Sequence, residues 1–221
     1  FARALGERGI CIISGLAFGI DAAAHKGALA GGGATVAVLA QALPEISPAS
    51  HLGLAKKIIE SGGLLISEKE PGSETFKGDY LTRNRLISGL SKGVLVIEAP
   101  YKSGATNTAN HAVEQNRDVF AIPGRVSDVN SEGSNKLIRN GATFVRSPKD
   151  LMEDWKLPWV PPLPVELKGV QKTIFELIKS QPKNAAELGE AFGGSLRTLY
   201  STLGELELKG LVQRTRELRY A

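Results

Sequence analysis

Short, almost wholly apolar segments alternate along most of this chain with segments whose apolar residues recur every three or four positions. The first kind is typical of β-strands covered on both faces, and the second kind of helices. Their regular alternation predicts an α/β fold built on a doubly wound, mainly parallel sheet. The predicted strands are ICIIS at 10–14, TVAVL at 35–39, LLIS at 64–67, VLVIEA at 94–99, DVFAIP at 118–123 and ATFV at 142–145.

The segments between the predicted strands fit helices at 21–29, 52–59, 80–90 and 106–115. In sheets of this kind ligands bind beyond the carboxyl ends of the strands, where loops lead into helix N-termini. Functional residues are therefore expected in those loops. The opening FARALGERG resembles the last turns of a helix. The strand and loop that would begin such a sheet are therefore expected before Phe1.

A second domain is predicted after a proline-rich stretch. The sequence KLPWVPPLPVE at 156–166 favours a stiff, extended linker between domains at 1–155 and 167–221. Beyond the linker three helical segments precede two short strands, which predicts a winged helix-turn-helix domain. The side chains of Asn184 and Ser195 are predicted N-caps, and Gly210 suits the close of the third helix.

The composition of the chain indicates which partners and which location it favours. The formal net charge is +4 and the isoelectric point about 9.2, which favours an anionic partner such as nucleic acid. No apolar run approaches the roughly 18 residues that a membrane span needs, and the first residues do not resemble a signal peptide. We therefore expect a soluble, cytoplasmic protein. The single cysteine, Cys11, lies in an apolar run and is predicted to pack as a small buried hydrophobe.

The first loop with functional potential is SGLAFGID, from Ser14 to Asp21. Its glycines allow the backbone near Ser14 and Gly15 to approach an anion at a helix N-terminus. The alternative is a tight packing turn. A Ser14, Asp21 and His25 triad is poorly supported because no GxSxG elbow is present. Asp21 and His25 share a helix face, but no further residues show metal-ligand spacing, so no metal site is predicted.

The second motif, FKGDYLTRNR at 76–85, places aromatic rings among cations. Rings can stack on unpaired bases while Lys77, Arg83 and Arg85 meet phosphates, which is the chemistry of a groove for single-stranded nucleic acid. The alternative is a surface helix with Tyr80 half buried and its arginines in ion pairs.

The third motif, EAPYKSGATNTA, runs from a strand end into a helix. Its Ser103, Gly104 and Thr106 can offer N–H and hydroxyl groups to a phosphate, and Lys102 adds charge. Glu98 is predicted to form an ion pair with Arg83 or Arg85.

In the winged helix, four arginines are candidates for nucleic-acid contact. The domain carries a net charge of only +2 over residues 166–221, and winged helices also dock proteins, so both readings stay open. The candidates are Arg197 on the third helix and Arg214, Arg216 and Arg219 on the wing.

Consecutive motifs of the chain resemble signatures of the DprA (Smf) family of DNA-processing proteins. They are SGLAFGIDAAAHKGAL, YLTRNRLISGLS, VLVIEAPYKSGATNTANHA, RDVFAIPGRV and SEGSNKLIRNGA, and the tail with ELELKGLVQR is similar to that family's winged helix. The stretch VLAQALPEISPAS departs from the family pattern, with Ser47 where a tyrosine is usual.

The resemblance implies a Rossmann-like homodimer that binds single-stranded DNA, protects it and helps load RecA in natural transformation. It implies a phosphate contact for Lys77 and base stacking for Tyr80. The implied dimer interface is 137–145, with Leu137, Ile138 and Phe144 as candidates. The full predicted single-strand site is Ser14, Gly15, Lys77, Tyr80, Arg83, Asn84, Arg85, Lys102, Ser103, Gly104 and Thr106.

The leading prediction is therefore a non-enzymatic binder with no catalytic residue, cofactor or metal. Two alternatives remain. The first is a nucleotide phosphoribohydrolase of the lysine-decarboxylase-like type, although KSGATNTANHAVE lacks that class's paired glycines and places Glu114 inside a helix. The second is a regulator that reads duplex DNA with its winged helix.

Overall fold

A computed structural model describes residues 1–159, 167–208, 211–212, 214–215 and 218–220. The chain divides into two compact units, one within residues 1–162 and one within residues 163–221. The greater part of the predicted linker, residues 160–166, lies outside the described residues, as do Gly210 and Arg216. No helix in the described parts of either unit is long and apolar enough to cross a membrane.

The described part of the first unit contains six strands in two parallel groups, and the predicted α/β class is confirmed. Hydrogen bonds join the strands in the orders β1-β2-β3 and β4-β5-β6. Each strand overlaps an apolar run of the sequence. They are β1 (Ile12–Ser14), β2 (Thr35–Leu39), β3 (Leu64–Ser67), β4 (Gly93–Val96), β5 (Asp118–Ala121) and β6 (Thr143–Phe144).

Helices follow the carboxyl ends of these strands. The helices predicted at 80–90 and 106–115 begin two or three residues earlier because polar caps extend the first turn: Asp79 accepts the backbone N–H of Phe76, and Ser103 accepts that of Thr106. The helices are α1 (Ala2–Gly6), α2 (Ile20–Ala30), α3 (Leu52–Glu60), α4 (Lys77–Gly89), α5 (Gly104–Glu114), α6 (Glu132–Arg139) and α7 (Pro148–Asp154), with 3₁₀ turns at Ala49–His51 and Val129–Ser131.

The cores of the first unit lie between the strands and their helices. Leu16, Leu39 and Ile58 are fully or almost fully buried in one cluster, and Phe120 is buried in another. The prediction of a buried Cys11 is wrong, because this residue is exposed. Side chains alternate between faces in extended chain. Ile10 and Ile12 pack against the cluster around Phe120, so Cys11 between them points the other way.

Where the structure describes the second unit, it has three helices around one apolar cluster. They are α8 (Gly169–Ser180), α9 (Ala185–Phe192) and α10 (Leu196–Leu208). The predicted N-caps are present: Asn184 accepts the N–H of Glu187 at 2.9 Å and Ser195 that of Thr198 at 3.1 Å. Antiparallel bridges join Tyr220 to Lys183 and Arg214. The core consists of Ile174, Ile178, Leu188, Leu199, Leu203, Leu206, Val212 and Tyr220.

Candidate nucleic-acid interface

The first turn of α4 presents an aromatic ring and a cation to solvent. Lys77 is exposed and Tyr80 is 40% exposed. The Tyr80 hydroxyl lies 3.5 Å from the Ser47 hydroxyl, at the position where the family pattern differs. Phe76, one residue before the helix, is also exposed, with the Lys69 ammonium 5.6 Å from its ring centre. The groups that stacking and phosphate binding require are thus accessible here.

A carboxylate already caps this helix. Asp79 accepts the Phe76 N–H at 2.8 Å and pairs with Lys69 at 2.7 Å. Hydrogen bonds from Lys69 and from the Phe76 backbone lower the pKa of Asp79 below its ordinary value. The α4 N-terminus is therefore occupied by an anion of the chain itself. Lys77 supplies the positive charge that remains available in this turn.

Asn84 joins α4 to the start of α5. Its side-chain amide donates to the Gly104 carbonyl at 3.2 Å and to the Asn107 side chain at 3.0 Å. The two segments that the sequence singled out, 76–85 and 102–106, therefore lie side by side. Asn84 itself is buried, so it holds the two helices together and is not exposed to a ligand.

Arg83 is an internal support, which corrects the expectation that its charge meets a phosphate. The residue is only 7% exposed, and its guanidinium donates to the carbonyls of Gly15, at 2.8 Å, and Val38. Burial lowers the pKa of Arg83 from its ordinary value. These bonds tie α4 to the ends of β1 and β2, so Arg83 supports the surface on which Lys77 and Tyr80 stand.

The predicted ion pair with Glu98 is also wrong. Arg85 pairs with Glu68, in the loop after β3, and Arg83 bonds to backbone carbonyls. Among the described residues neither arginine pairs with Glu98. The loop that joins β3 to α4 brings the Glu68 carboxylate into contact with Arg85, so this carboxylate takes the place that was predicted for Glu98.

The loop from Ser14 to Asp21 is a tight turn whose amides are partly used. Asp21 accepts the N–H groups of Gly15, at 3.0 Å, and Ala17, at 3.2 Å. The expectation that the Gly15 amide meets an external anion is therefore wrong, because the Asp21 carboxylate takes that place. Gly15 is buried, and a β-carbon on it would lie 2.5 Å from the Arg83 guanidinium. Ser14 ends β1 beside this turn and is partly buried.

His25 is bonded to a side chain of β2 rather than to Ser14 or Asp21. Its Nδ1 lies 2.7 Å from the Thr35 hydroxyl, which donates to the Ile12 carbonyl at 2.7 Å. The hydroxyl can therefore only accept from the ring, which places the proton on Nδ1. Burial lowers the pKa of His25 to about 4. The side chain is a neutral, structural imidazole.

The Ser103–Thr106 turn forms a reciprocal cap. The Ser103 hydroxyl accepts the Thr106 N–H at 3.2 Å, and the Thr106 hydroxyl accepts the Ser103 N–H at 3.1 Å. These two hydroxyls are used to cap α5. The groups that can bind an anion at this turn are therefore the first backbone N–H groups of the helix, at Gly104 and Ala105. Lys102 is exposed beside them.

An open cavity of about 680 Å³ extends from this turn to α6. It contains two residues that the sequence analysis missed, Tyr101 and Lys136. The Lys136 ammonium donates to the Tyr101 hydroxyl at 2.8 Å and lies 4.1 Å from the ring centre. An aromatic residue directly before Lys102 carries the same signal that drew attention to 76–85. Lys136 carries no local signal, because it comes from a helix 35 positions later.

The remaining candidates are placed as follows. Leu137 and Ile138 pack partly against the core around α5, and Phe144 on β6 is exposed. On the second unit Arg197 is exposed, whereas Arg219 pairs with Glu187 at 2.8 Å. The Arg214 guanidinium lies 6.0 Å from the centre of the Tyr220 ring.

Comparison with known proteins identifies the family. Residues 1–156 match the model of DNA recombination-mediator protein A, and residues 160–216 match that of the DprA winged helix domain. The chain belongs to the DprA/Smf family. The resemblance read from the motifs is thereby confirmed, together with the winged-helix class of the second domain.

Individual proteins of the DprA/Smf family are similar to this chain in sequence and in structure. Protein Smf of Escherichia coli is 45% identical over 166 residues, covering 74% of this chain and 44% of its own length. The X-ray structure of Streptococcus pneumoniae DprA superposes with a TM-score of 0.64 at 40% identity, covering 69% of this chain and 54% of that one. This chain thus spans about half the length of the curated relatives it matches.

A further DprA structure describes a single-stranded DNA binding mode of the Helicobacter pylori protein. It superposes with a TM-score of 0.63 at 31% identity, covering 70% of each chain.

Proposed function

We propose that this chain binds single-stranded DNA across the ends of α4 and α5 and acts as a recombination mediator. The observation that carries the proposal is the exposed pair Lys77 and Tyr80 on α4, the helix that Asn84 joins to Gly104 at the start of α5. A ring, a cation and free helix amides on one surface can bind a strand through stacking and phosphate contacts together. The single-strand binding mode of the Helicobacter pylori relative supports this choice.

The wider role follows from family membership. We propose that the protein works in the cytoplasm as a homodimer, that it protects incoming single-stranded DNA, and that it helps load RecA onto the strand. Leu137, Ile138 and Phe144 remain the proposed dimer contacts. Sedimentation of the full chain, with and without Phe144→Glu, tests the dimer. A Phe144→Glu variant that sediments as the unchanged dimer would exclude this interface.

Binding of fluorescent oligo-dT, measured by anisotropy over a salt series, tests the proposed site. Replacing Tyr80 by Ala should weaken binding by about 1–3 kcal/mol, the usual value of one base–ring stack, and leave the salt dependence unchanged. Replacing Lys77 by Ala should reduce the slope of log K against log salt by about 0.7, the value for one phosphate contact on a single strand. The two side chains thus have separable signatures.

Matched variants control for unrelated effects. Tyr80→Phe keeps the ring and should retain the affinity. Lys57 is an exposed lysine in the last turn of α3, away from the carboxyl ends of the strands. Lys57→Ala should leave both the affinity and the salt slope unchanged. Equal losses for Lys57→Ala and Lys77→Ala would show only a general charge effect, and the assignment of the site would then fail.

We propose a binding protein rather than an enzyme. The Glu114 carboxylate, which the phosphoribohydrolase alternative needs near the phosphate turn, lies ten residues along α5 from Gly104, about 15 Å away at the helical rise of 1.5 Å per residue. It contacts His111 at 3.1 Å instead. Incubation with nucleoside monophosphates should release no free base. Release of base would restore the enzymatic alternative.

Duplex binding by the winged helix has weaker support in this chain. Arg219 is paired with Glu187 and also donates to the Pro182 carbonyl at 3.0 Å, so much of its charge is already engaged. We expect single-stranded oligonucleotides to bind more tightly than duplexes of the same length. Tighter, sequence-dependent binding of a duplex would favour the regulator alternative.

A further inference from the structure

The cavity between α5 and α6 contains the parts of a nucleotide pocket. Its volume of about 680 Å³ lies within the range of small-molecule sites. Tyr101 and Leu81 contribute apolar surface, and Lys102 and Lys136 contribute positive charge. None of the described side chains that line it is acidic. Such a lining suits an anion that carries a flat, partly apolar group.

The Tyr101 ring is arranged for stacking. It is 51% exposed at the edge of the cavity, while the Lys136 ammonium rests over one face and bonds the hydroxyl. These two contacts hold the ring orientation without burying it. A base can stack on a ring held in this way, and the adjacent cation can meet the phosphate of the same nucleotide.

Amide side chains supply hydrogen bonds that a base edge needs. Asn110 and Asn140 line the cavity and are exposed, and an amide offers both donors and acceptors to a base. The nearby Asn107 differs from them, because it accepts from Asn84. The cavity therefore combines groups for stacking, charge and hydrogen bonding along one open surface.

The cavity adjoins the proposed single-strand site. Leu81, which follows Tyr80 on α4, is one of its lining residues, and so are Ser103 and Gly104. A strand whose base stacks on Tyr80 can thus continue across Leu81 and the α5 turn into the cavity.

We propose that the Tyr101–Lys136 cavity binds a second nucleotide of the strand, with the base stacked on Tyr101 and the phosphate near Lys102 and Lys136. This proposal rests on the proposed function for its strand, although the chemistry of the cavity would also accept a free nucleotide. The second nucleotide makes the affinity depend on oligonucleotide length.

The test uses the full chain and oligo-dT from about 4 to about 16 nucleotides, the range of single-strand site sizes. Tyr101→Ala should reduce the affinity for the longer oligonucleotides about tenfold and change that for the shortest ones little. Tyr80→Ala should weaken binding at every length. Tyr101→Phe, which keeps the ring, should behave nearly as the unchanged chain does, and Lys136→Gln should lower the salt slope for long oligonucleotides only.

Two further measurements separate the outcomes. Titration with dTMP distinguishes a free nucleotide from a strand: binding of dTMP that is lost in Tyr101→Ala supports the pocket even if oligo-dT does not bind and the proposed function fails. Sedimentation shows whether the cavity is an interface between copies. The nucleotide pocket is overturned if Tyr101→Ala matches the unchanged chain for both ligands while Tyr80→Ala weakens binding, or if Tyr101→Ala alters only the oligomeric state.

Discussion

Acid should destabilise the first unit through His25, whose ring is fully buried on α2. Its Nδ1 proton is donated to Thr35, and its Nε2 has no partner among the described residues. A second proton on Nε2 would therefore place an unpaired donor and a charge in the core. Burial is the main cause that lowers the pKa of His25 to about 4; Asp21 opposes this effect and His51 adds to it.

The size of the effect follows from proton linkage. An unfolded histidine has a pKa near 6.5, so between about pH 6.5 and pH 4 the unfolded chain binds a proton that the native chain does not. Stability therefore rises with pH in this window and is lost as the pH falls through it. The two pKa values correspond to a loss of about 2 kcal/mol between pH 7 and pH 5, and of about 3 kcal/mol once the pH is below both.

Urea unfolding at the two pH values measures this loss. Both tryptophans of the chain, Trp155 and Trp159, belong to the first unit, so their fluorescence follows its unfolding. His25→Asn keeps a donor for Thr35 but cannot titrate, and it should lose about 2 kcal/mol less than the unchanged chain on going from pH 7 to pH 5. His111→Asn, on the surface of α5, should keep the full loss. Equal losses for His25→Asn and the unchanged chain would refute the argument.

Three other substitutions test the packing within the two units. Arg83→Met leaves the Gly15 and Val38 carbonyls without their buried donor and should reduce stability by about 1–3 kcal/mol, measured by urea unfolding. Unchanged unfolding would contradict its role as a support. Gly15→Ala places a β-carbon 2.5 Å from that guanidinium and should also lower the unfolding midpoint; an equal midpoint would show that Arg83 can move aside. Leu188→Ala, in the core of the second unit, should lower the free energy of unfolding of that unit by about 2–5 kcal/mol. Part of the helical circular dichroism signal should then be lost at a lower temperature. A melting curve like that of the unchanged chain would contradict the assigned core.

Most strands and helices of this protein could be predicted from the local sequence pattern. Five of the six apolar runs contain the strand found, β4 begins one residue before its run, at Gly93, and β2 and β3 coincide with their runs residue for residue. The reason is that a strand buried on both faces needs an unbroken apolar run, a requirement visible within five residues. The helix starts were less accurate, because Asp79 and Ser103 cap the chain before the apolar periodicity begins.

The candidate site was only partly readable. Lys77 and Tyr80 stand exposed on the segment that their mixture of ring and charge had marked. By contrast, Arg83 and Arg85 are alike in the sequence, yet one is buried on backbone carbonyls and the other pairs with Glu68 at the surface. The burial and the partners of each arginine depend on which groups from distant loops lie beside its face of the helix.

What the sequence determined by itself was the family, the order of its elements and the chemistry at the start of α4. Only the tertiary structure decided that Asp21 fills the first loop, that Arg83 is internal, and that Tyr101 meets Lys136 across 35 positions. The physical reason is the distance along the chain over which each kind of interaction acts. Backbone propensity and apolar periodicity act between near neighbours, whereas the balance between desolvation and hydrogen bonding of a polar side chain depends on groups that only the folded chain brings together.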